Sequence, residues 1–453
     1  MKINIITLGC SKNTVDSENV AGHLCSAGHT VFFDRPRNDC DIVILNTCGF
    51  IGDAKEESVN TLLAQLQAAS NFNRRHHADG RQRTLIATGC LVERYRDQLQ
   101  AELPQVSAWF GVHQWDDLVA YVKTLAGQQT PAGQRPSAKA PSALPFTAER
   151  TLSTPRHYAY LKIAEGCNRH CSYCAIPLIR GRHVSRPIDE LVDEARNLVA
   201  SGVKEIIIIA QDTTYYGLDL YGRRRLGDLL NRLATESGAP WIRLHYTYPT
   251  SFPVDAIDVI RRYDNICNYI DIPLQHINSR ILSSMQRGID REGTLSLLNT
   301  FRAQLPDVCI RTTLIVGYPG ETEAEFEELK QFVREARFDR MGCFAYSPEE
   351  GTTAEKLRDT VSEEEKQRRV SELMAIQEQI SLAKNQARVG HNYRVIIDRH
   401  EGSYYIGRTE YDSPDIDDEI LIPDTAPLRV GEFYQARITQ ALENDLFAEL
   451  VAV

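Results

Sequence analysis

Strand and helix patterns alternate between residues 155 and 350, and this alternation constrains the fold more than any other feature of the chain. Short apolar segments predict six strands, at Tyr158–Ile163, Glu205–Ala210, Ile242–His245, Tyr269–Ile272, Val308–Val316 and Met341–Ala345. Helical patterns separate most of these strands. Repeated βα units build parallel sheets. We therefore predict a partial (βα)6 barrel, short of the eight units that close a full barrel.

The regions on either side carry different patterns. Residues 1–126 alternate short strands and helices, which predicts an open parallel α/β sheet domain. Residues 127–150 are rich in Gln, Pro, Ala, Ser and Gly and indicate a linker. A long polar helix ends near residue 386, and residues 387–453 alternate short strands and turns, which predicts a small antiparallel β-barrel of the OB-like kind. The middle domain with its trailing helix then spans residues 151–386, and the overall class is α/β.

Composition limits the functional class. The 453 residues contain no apolar run long enough to span a bilayer, and Met1–Ile6 indicates a first strand and not a signal peptide. Eleven cysteines without a secretion signal favour the reducing cytoplasm, where thiols are free to bind metal. The net charge of −10 weighs against indiscriminate nucleic-acid binding.

Three cysteines follow the first strand of the middle domain, within the segment C-N-R-H-C-S-Y-C. Cys167, Cys171 and Cys174 lie within eight residues. A [4Fe–4S] cluster normally takes four thiolates, so three leave one iron open for a substrate or cofactor. The alternatives are a zinc site or three unrelated core thiols. Structural zinc prefers two ligand pairs, and no second C-x-x-C is present.

Three further cysteines recur at matching positions of the first domain. Cys10, Cys48 and Cys90 each follow a predicted strand of the first domain. Parallel neighbouring strands place such positions on one edge of the sheet, which predicts a second metal cluster. The alternative is three buried thiols, since free cysteine is a common core residue. We interpret the remaining cysteines as core residues: Cys25, Cys40, Cys267, Cys309 and Cys343.

The C-x-x-x-C-x-x-C spacing, with Tyr173 before the last cysteine, resembles radical S-adenosylmethionine (SAM) enzymes. The segments 9–18 (GCSKNTVDSE), 46–51 (NTCGFI) and 88–91 (TGCL) further resemble radical-SAM methylthiotransferases, whose last domain is a TRAM domain. The resemblance covers nearly the whole chain. It implies two [4Fe–4S] clusters, one on each trio, and two molecules of SAM. It also implies that the trio of Cys10, Cys48 and Cys90 holds an auxiliary cluster that presents sulfur, while the other trio generates the 5′-deoxyadenosyl radical.

Candidate SAM contacts lie beside the strands of the middle domain. Gln211 follows the second strand and can hydrogen-bond the SAM ammonium group, and Arg311 on the fifth strand can pair with its carboxylate. Gly317 lies in a segment that resembles the adenine-binding segment of the superfamily, and Gln275 is a candidate near ribose. Tyr173 completes this cofactor-binding set. No side chain is assigned as catalytic, because the radical chemistry belongs to the cofactors.

The family divides between enzymes that modify tRNA adenosine and enzymes that modify an aspartate of a ribosomal protein. Ser11-Lys12-Asn13 and Gly49-Phe50-Ile51 resemble the ribosomal-protein branch. Residues 387–453 hold 6 Arg, no Lys and 13 acidic residues, a net charge of −7, which favours a basic protein partner over a phosphate backbone. We expect methylthio transfer to the aspartate β-carbon of small-subunit ribosomal protein S-twelve, bound through the acidic barrel. A reductant such as a flavodoxin and a sulfur donor would assist. tRNA modification and a non-catalytic metal-binding interaction module remain the alternatives.

Overall fold

The computed structural model describes residues 1–35, 39–127 and 150–451, which form two compact units. One unit comprises Met1–Ser153 with the segments Gly166–Asn168 and Ala175–Arg182. The other comprises Thr154–Glu165, Arg169–Cys174 and His183–Val453. The predicted linker lies almost wholly outside the described residues. No helix in the described part of the chain is both long enough and apolar enough to cross a membrane.

The first unit is built on a five-stranded parallel sheet in the order β2-β1-β3-β4-β5. The strands are β1 (Lys2–Thr7), β2 (Thr30–Phe33), β3 (Ile42–Thr47), β4 (Thr84–Gly89) and β5 (Ala108–Phe110). The main helices are α1 (Ser11–Ser26), α2 (Gly52–Arg75), α3 (Cys90–Glu102) and α4 (Trp115–Leu125). Every residue of β3 is buried, because α1 and α4 cover one face of the sheet and α2 and α3 the other. The predicted open α/β sheet is confirmed.

The second unit contains the six predicted parallel strands in two groups of three. The groups run β10-β9-β6 and β11-β12-β13, and a parallel bridge between Ile242 and Ile266 lies between them. The strands are β6 (Tyr158–Lys162), β7 (Ala164–Glu165), β8 (Val184–Ser185), β9 (Glu205–Ile209), β10 (Trp241–Leu244), β11 (Tyr269–Asp271), β12 (Cys309–Val316) and β13 (Arg340–Ala345). β7 and β8 form a separate antiparallel pair.

Helices alternate with these strands along the chain, as the βα pattern requires. They are α5 (Ile176–Arg180), α6 (Ile188–Ala200), α7 (Leu218–Tyr221), α8 (Leu226–Glu236), α9 (Val254–Arg262), α10 (Ser279–Ser284), α11 (Arg291–Gln304), α12 (Glu323–Ala336) and the long trailing helix α13 (Glu363–Ala387). Of these, α5 is grouped with the first unit. The predicted partial barrel is confirmed.

The C-terminal strands close into a five-stranded barrel in the order β14-β15-β16-β18-β17. They are β14 (Asn392–Glu401), β15 (Tyr404–Arg408), β16 (Glu419–Pro423), β17 (Phe433–Ala441) and β18 (Asp445–Leu450). All neighbours are antiparallel except β16 and β18, which are parallel. The predicted small barrel is confirmed, and it contains one parallel pair because a closed ring with an odd number of strands cannot alternate in direction throughout.

Buried charges join this barrel to the amino-terminal ends of the central strands. Glu205, the first residue of β9, pairs with Arg243 at 2.7 Å and with Arg408 of the small barrel. Arg243 also donates to the backbone carbonyl oxygen of Glu410 at 2.6 Å. All three charged side chains are buried. The small barrel therefore packs against the end of the sheet opposite to the carboxyl ends of the strands, where sites in such folds lie.

The acidic run of the small barrel lies at this contact. Arg340 reaches Asp412 at 2.5 Å and Asp418 at 3.0 Å, and both carboxylates are buried. Burial disfavours the charge of Asp412, but Arg388 and Arg340 hold its pKa at about 2, so it stays ionised. Arginines thus pair with the buried members of the run, and the binding of a basic protein by the acidic barrel stays a prediction.

Candidate active site

Three cysteines meet at one edge of the parallel sheet in the first unit. Thr47 and Gly89 are register partners at the ends of β3 and β4, and Cys48 and Cys90 follow them directly. Gly9, beside Cys10, lies so close that a Cβ built on it would be 2.8 Å from Cys48 Sγ. Parallel strands thus bring this first trio together, as the repeated strand-then-cysteine pattern predicts.

These thiols differ in burial. Cys10 is exposed, whereas Cys48 and Cys90 are buried. Burial raises the pKa of Cys48 to about 12, and the neighbouring thiols Cys10 and Cys90 add to the rise. Burial also raises the pKa of Cys90. A buried thiol of this kind becomes a thiolate only when a cation compensates its charge, which is what binding to a metal cluster supplies.

The glycine before Cys90 is required by its own backbone conformation and by the end of the neighbouring strand. Gly89 adopts φ 100° and ψ −164°, a conformation nearly restricted to glycine. A Cβ at this position would lie 2.4 Å from both the Asn46 Oδ1 atom and the Thr47 carbonyl oxygen. A glycine is therefore required at position 89 by its contact with the end of β3.

We expect Gly89→Ala to lower the free energy of unfolding by more than about 3 kcal/mol, because backbone strain of about 1–3 kcal/mol adds to the clash with β3. Gly28→Ala is the matched control, since Gly28 also has positive φ but has nothing within 4 Å of a built Cβ. The control should cost about 1–2 kcal/mol. Urea denaturation of both variants measures the difference, and equal losses would contradict the steric explanation.

Sequence reasoning missed a buried arginine beside the first trio. Arg180, the last residue of α5, donates to Cys90 Sγ at 3.3 Å, to Asn13 Oδ1 at 2.6 Å and to Asp16 Oδ2 at 2.7 Å. Asn13 and Asp16 lie in the first turns of α1, directly after Cys10. The only sequence signal was the position of Arg180, six residues beyond Cys174.

The second trio, Cys167, Cys171 and Cys174, lies on the loop after β7. Cys167 falls on the short segment grouped with the first unit, where its N–H donates to the Gly181 carbonyl at 3.1 Å. Cys171 and Cys174 belong to the second unit and share one turn, since the Cys174 N–H donates to the Cys171 carbonyl at 3.1 Å. The loop is therefore held by backbone hydrogen bonds at each cysteine-bearing segment.

A second buried arginine lies beside Cys171. Arg287 donates to Cys171 Sγ at 3.5 Å and to the Tyr173 hydroxyl at 3.2 Å, and its guanidinium stacks 4.1 Å from the centre of the Tyr248 ring. None of the ion pairs among the described residues involves Arg287, and its Nε is buried without a partner. A buried cation of this kind suits an anionic group bound at Cys171, such as an iron–sulfur cluster.

Two predicted SAM contacts present unused acceptors near the carboxyl ends of the strands. Gln211, after β9, donates through Nε2 to Glu165 at 2.6 Å, and its Oε1 atom is buried without a hydrogen-bond partner. Gln275, after β11, has positive φ, and its Oε1 atom is likewise buried without a partner. Amide oxygens accept hydrogen bonds from ammonium or hydroxyl groups, so both side chains fit a SAM site.

Two further candidate SAM contacts are already engaged within the protein. Arg311 lies near the start of β12 and pairs with Asp271 at 3.1 Å and Asp417 at 3.3 Å, so its guanidinium is committed to the contact with the small barrel. This geometry does not support the predicted SAM carboxylate contact. Gly317 has φ 71°, and a Cβ there would lie 2.2 Å from Lys366 Cγ, so helix packing alone requires a glycine. The role predicted for Gly317 beside adenine stays a prediction.

The remaining cysteines mostly match their predicted core positions. Cys40, Cys267 and Cys309 are buried, and the last two pack in one apolar cluster. Cys343 is half-buried. Cys25 is exposed on the last turn of α1, so its interpretation as a core residue is wrong. Among the described residues, no group of three His, Cys, Asp or Glu side chains is arranged to hold a single metal ion.

Comparisons with known proteins agree with this fold. A radical SAM superfamily model matches residues 161–333, an uncharacterized protein family (UPF0004) model matches residues 2–111, and a TRAM domain model matches residues 389–451. The radical SAM methyltransferase TsrM from Kitasatospora setae has a similar fold, with a TM-score of 0.54 at 14% identity over 77% of this chain and 73% of that one. The fold and site define a radical-SAM enzyme that carries a TRAM domain.

Relatives across the whole chain are far more similar. The ribosomal protein uS12 methylthiotransferase RimO of Phocaeicola vulgatus is 49% identical over 99% of both chains. RimO of Flavobacterium psychrophilum is 51% identical over 99% of this chain and 98% of its own. The chain belongs to the RimO family of radical-SAM methylthiotransferases. It is therefore a transferase that uses SAM and an iron–sulfur cluster.

Proposed function

We propose that this chain transfers a methylthio group to the β-carbon of an aspartate in ribosomal protein uS12, using two [4Fe–4S] clusters and two molecules of SAM. The assignment of uS12 as the substrate is supported by the full-length relatives of this chain, which are named ribosomal protein uS12 methylthiotransferases. The proposal of a second cluster is supported by one observation. Cys10, Cys48 and Cys90 lie together at one edge of the sheet, where β1, β3 and β4 end.

The residues of the chain divide the work between two sites. Cys167, Cys171 and Cys174 would hold the cluster that binds SAM, and Cys10, Cys48 and Cys90 the auxiliary one. When bound, these cofactors supply the radical and sulfur chemistry that protein side chains lack. A sulfur donor and a flavodoxin-like reductant would be the partners in the cytoplasm.

Around the SAM-binding site the side chains bind and orient. Arg287 places a positive charge against the Cys171 sulfur, which suits an anionic cluster bound there. Gln211 and Gln275 offer their free amide oxygens to the ammonium and ribose groups of SAM. Burial raises the pKa of Tyr173 well above its usual value, so its hydroxyl stays protonated. Substitution of Gln211 or Gln275 by Ala should therefore weaken SAM binding and leave the iron content of the chain unchanged.

Mass spectrometry of the two substrate classes tests the proposal. The chain is reconstituted anaerobically with iron and sulfide, then incubated with SAM, dithionite and either purified uS12 or bulk tRNA. We expect one aspartate of uS12 to gain the mass of an SCH₂ unit and tRNA to stay unchanged. A Cys174→Ala variant should abolish the gain, whereas Cys25→Ala, which removes an exposed thiol, should not. Modified adenosine in tRNA with unmodified uS12 would overturn the proposal.

A further inference from the structure

Arg180 and Asp16 form a buried ion pair beside the cysteines of the first unit. Their side chains are only 2% and 3% exposed, and the Nη1–Oδ2 distance is 2.7 Å. The other terminal nitrogen of Arg180 contacts Cys90 Sγ at 3.3 Å and Asn13 Oδ1 at 2.6 Å. Asn13 Oδ1 itself lies 3.7 Å from the same sulfur. A charged pair thus abuts one sulfur of the first trio.

Stability alone does not explain this pair. Taking two charges out of water costs several kcal/mol per ion, and buried pairs can often be replaced by apolar side chains without loss of stability. One side of Cys90 is apolar, since it packs with Val112, Ala175 and Ile179 in one buried cluster. A charge retained in such a place acts most strongly on its neighbours, because the local dielectric constant is low.

The segment that carries Arg180 is firmly placed. It begins at Ala175, directly after Cys174, and is grouped with the first unit. Ala175 and Ile179 are buried against Cys90, and Asn13, which contacts Arg180, is anchored to the Leu8 carbonyl at 2.8 Å. The guanidinium is therefore held at the sulfur by packing on one side and by hydrogen bonds on the other.

We propose that Arg180 is a positioning residue of the auxiliary cluster, which donates a hydrogen bond to the Cys90 sulfur and whose charge, partly cancelled by Asp16, sets the reduction potential of that cluster. The inference rests on the proposed function, since it takes Cys90 as a cluster ligand. Hydrogen bonds to sulfur and net charge near the cluster are two main determinants of iron–sulfur potentials. The arginine favours the reduced, more negative cluster, and the aspartate favours the oxidised one.

Two substitutions in this pair should therefore move the potential in opposite directions. Arg180→Met removes the positive charge and the donor, and Asp16→Asn removes the opposing negative charge at nearly constant shape. We expect the reduction equilibrium constant to fall about tenfold in Arg180→Met and to rise about tenfold in Asp16→Asn, which are shifts of about 59 mV each for a one-electron couple. Loss of packing alone would not produce shifts of opposite sign.

The measurement is an EPR-monitored redox titration of the full chain carrying Cys167→Ala, Cys171→Ala and Cys174→Ala, so that the auxiliary cluster is the only one present. Arg182→Met is the matched control, because Arg182 is exposed and lies two residues further along the same segment. It should leave the potential unchanged. Arg180→Lys keeps the charge with a different donor geometry, and should shift the potential less than Arg180→Met.

Each result has one interpretation. If the parent chain with its second trio removed binds no iron, the auxiliary cluster and the proposed function fail, independently of Arg180. If it binds about four iron atoms and the variants show equal potentials or shifts of the same sign, the inference about Arg180 is wrong and the proposed function stands. If Arg180→Met binds no iron, its potential cannot be measured, and the test then rests on Asp16→Asn and Arg180→Lys. Unchanged reduction potentials in both of these variants would overturn the inference.

Discussion

Replacing Cys10, Cys48 and Cys90 together by Ala is expected to abolish methylthio transfer while the chain still cleaves SAM to 5′-deoxyadenosine. The three thiols lie in the first unit, at the ends of β1, β3 and β4. Cys171 and Cys174 lie in the second unit and have their own hydrogen-bond partners. Iron content should therefore fall from about eight to about four atoms per chain. Iron analysis, deoxyadenosine release and the mass of uS12 report the three outcomes.

The reciprocal variant separates the two sites further. Replacing Cys167, Cys171 and Cys174 by Ala should also leave about four iron atoms, but deoxyadenosine formation should stop. Cys25→Ala removes an exposed cysteine outside both trios and should change neither quantity. Full sulfur transfer by a chain lacking the first trio would contradict the two-cluster proposal. Loss of all iron from that chain would show that the two sites do not load independently.

Glu205→Gln is expected to cause a large loss of stability in the second unit. Glu205 lies fully buried between Arg243 and Arg408, so the substitution removes the counter-charge of Arg243 and one of the two carboxylates paired with Arg408, which keeps Asp398. Breaking a buried pair by removing one partner costs about 3–5 kcal/mol. Urea denaturation at neutral pH measures the loss. Because the pair joins β9 to the small barrel, we expect a lower midpoint together with earlier proteolysis of the C-terminal strands.

The same variant should change the acid sensitivity of the protein. Burial would raise the pKa of Glu205, but Arg408 and Arg243 outweigh burial and lower it. A depressed carboxyl pKa stabilises the fold above the unfolded value of about 4.3 and loses this contribution as pH falls through the folded pKa. The stability difference between the parent chain and Glu205→Gln should therefore be constant near neutral pH and shrink below about pH 4.3.

Glu364→Gln serves as the control for both measurements, because Glu364 is exposed on the first turn of α13. It should change the unfolding free energy by less than about 0.5 kcal/mol. A loss in Glu205→Gln as small as in this control would show that the buried network contributes nothing net. A difference between the parent chain and Glu205→Gln that grows in acid would contradict the assigned direction of the Glu205 pKa.

The architecture could be predicted from local sequence, because each strand or helix has its own periodicity of apolar residues. The β-branched runs at Ile42–Thr47 and Glu205–Ile209 are apolar at nearly every position, which only a strand covered on both faces tolerates. Turn and helix signals between them left few ways to connect parallel strands. The strand β5 has only three residues, and so short a segment has no alternation from which a strand can be predicted.

Pairings between distant residues could not be predicted in this way. The acidic residues after Thr409 have the same sequence pattern whether they face water or Arg340, and only the docking of the small barrel decides between the two. Arg311 suited a SAM carboxylate by residue type, yet Asp271 and Asp417 occupy its guanidinium. Opposite charges can pair at any separation along the sequence. The type of a charged residue therefore does not predict which residue it pairs with.

The sequence by itself determined the two cysteine trios and the order of the three folds, because spacing along a strand or loop is a local property that survives in any tertiary arrangement. Tertiary structure alone decided which side chains stand beside those sulfurs. Arg180 and Arg287 reach Cys90 and Cys171 across 90 and 116 residues of chain. Contacts of that range depend on how whole elements pack, and buried charge is tolerated only where packing supplies its partner.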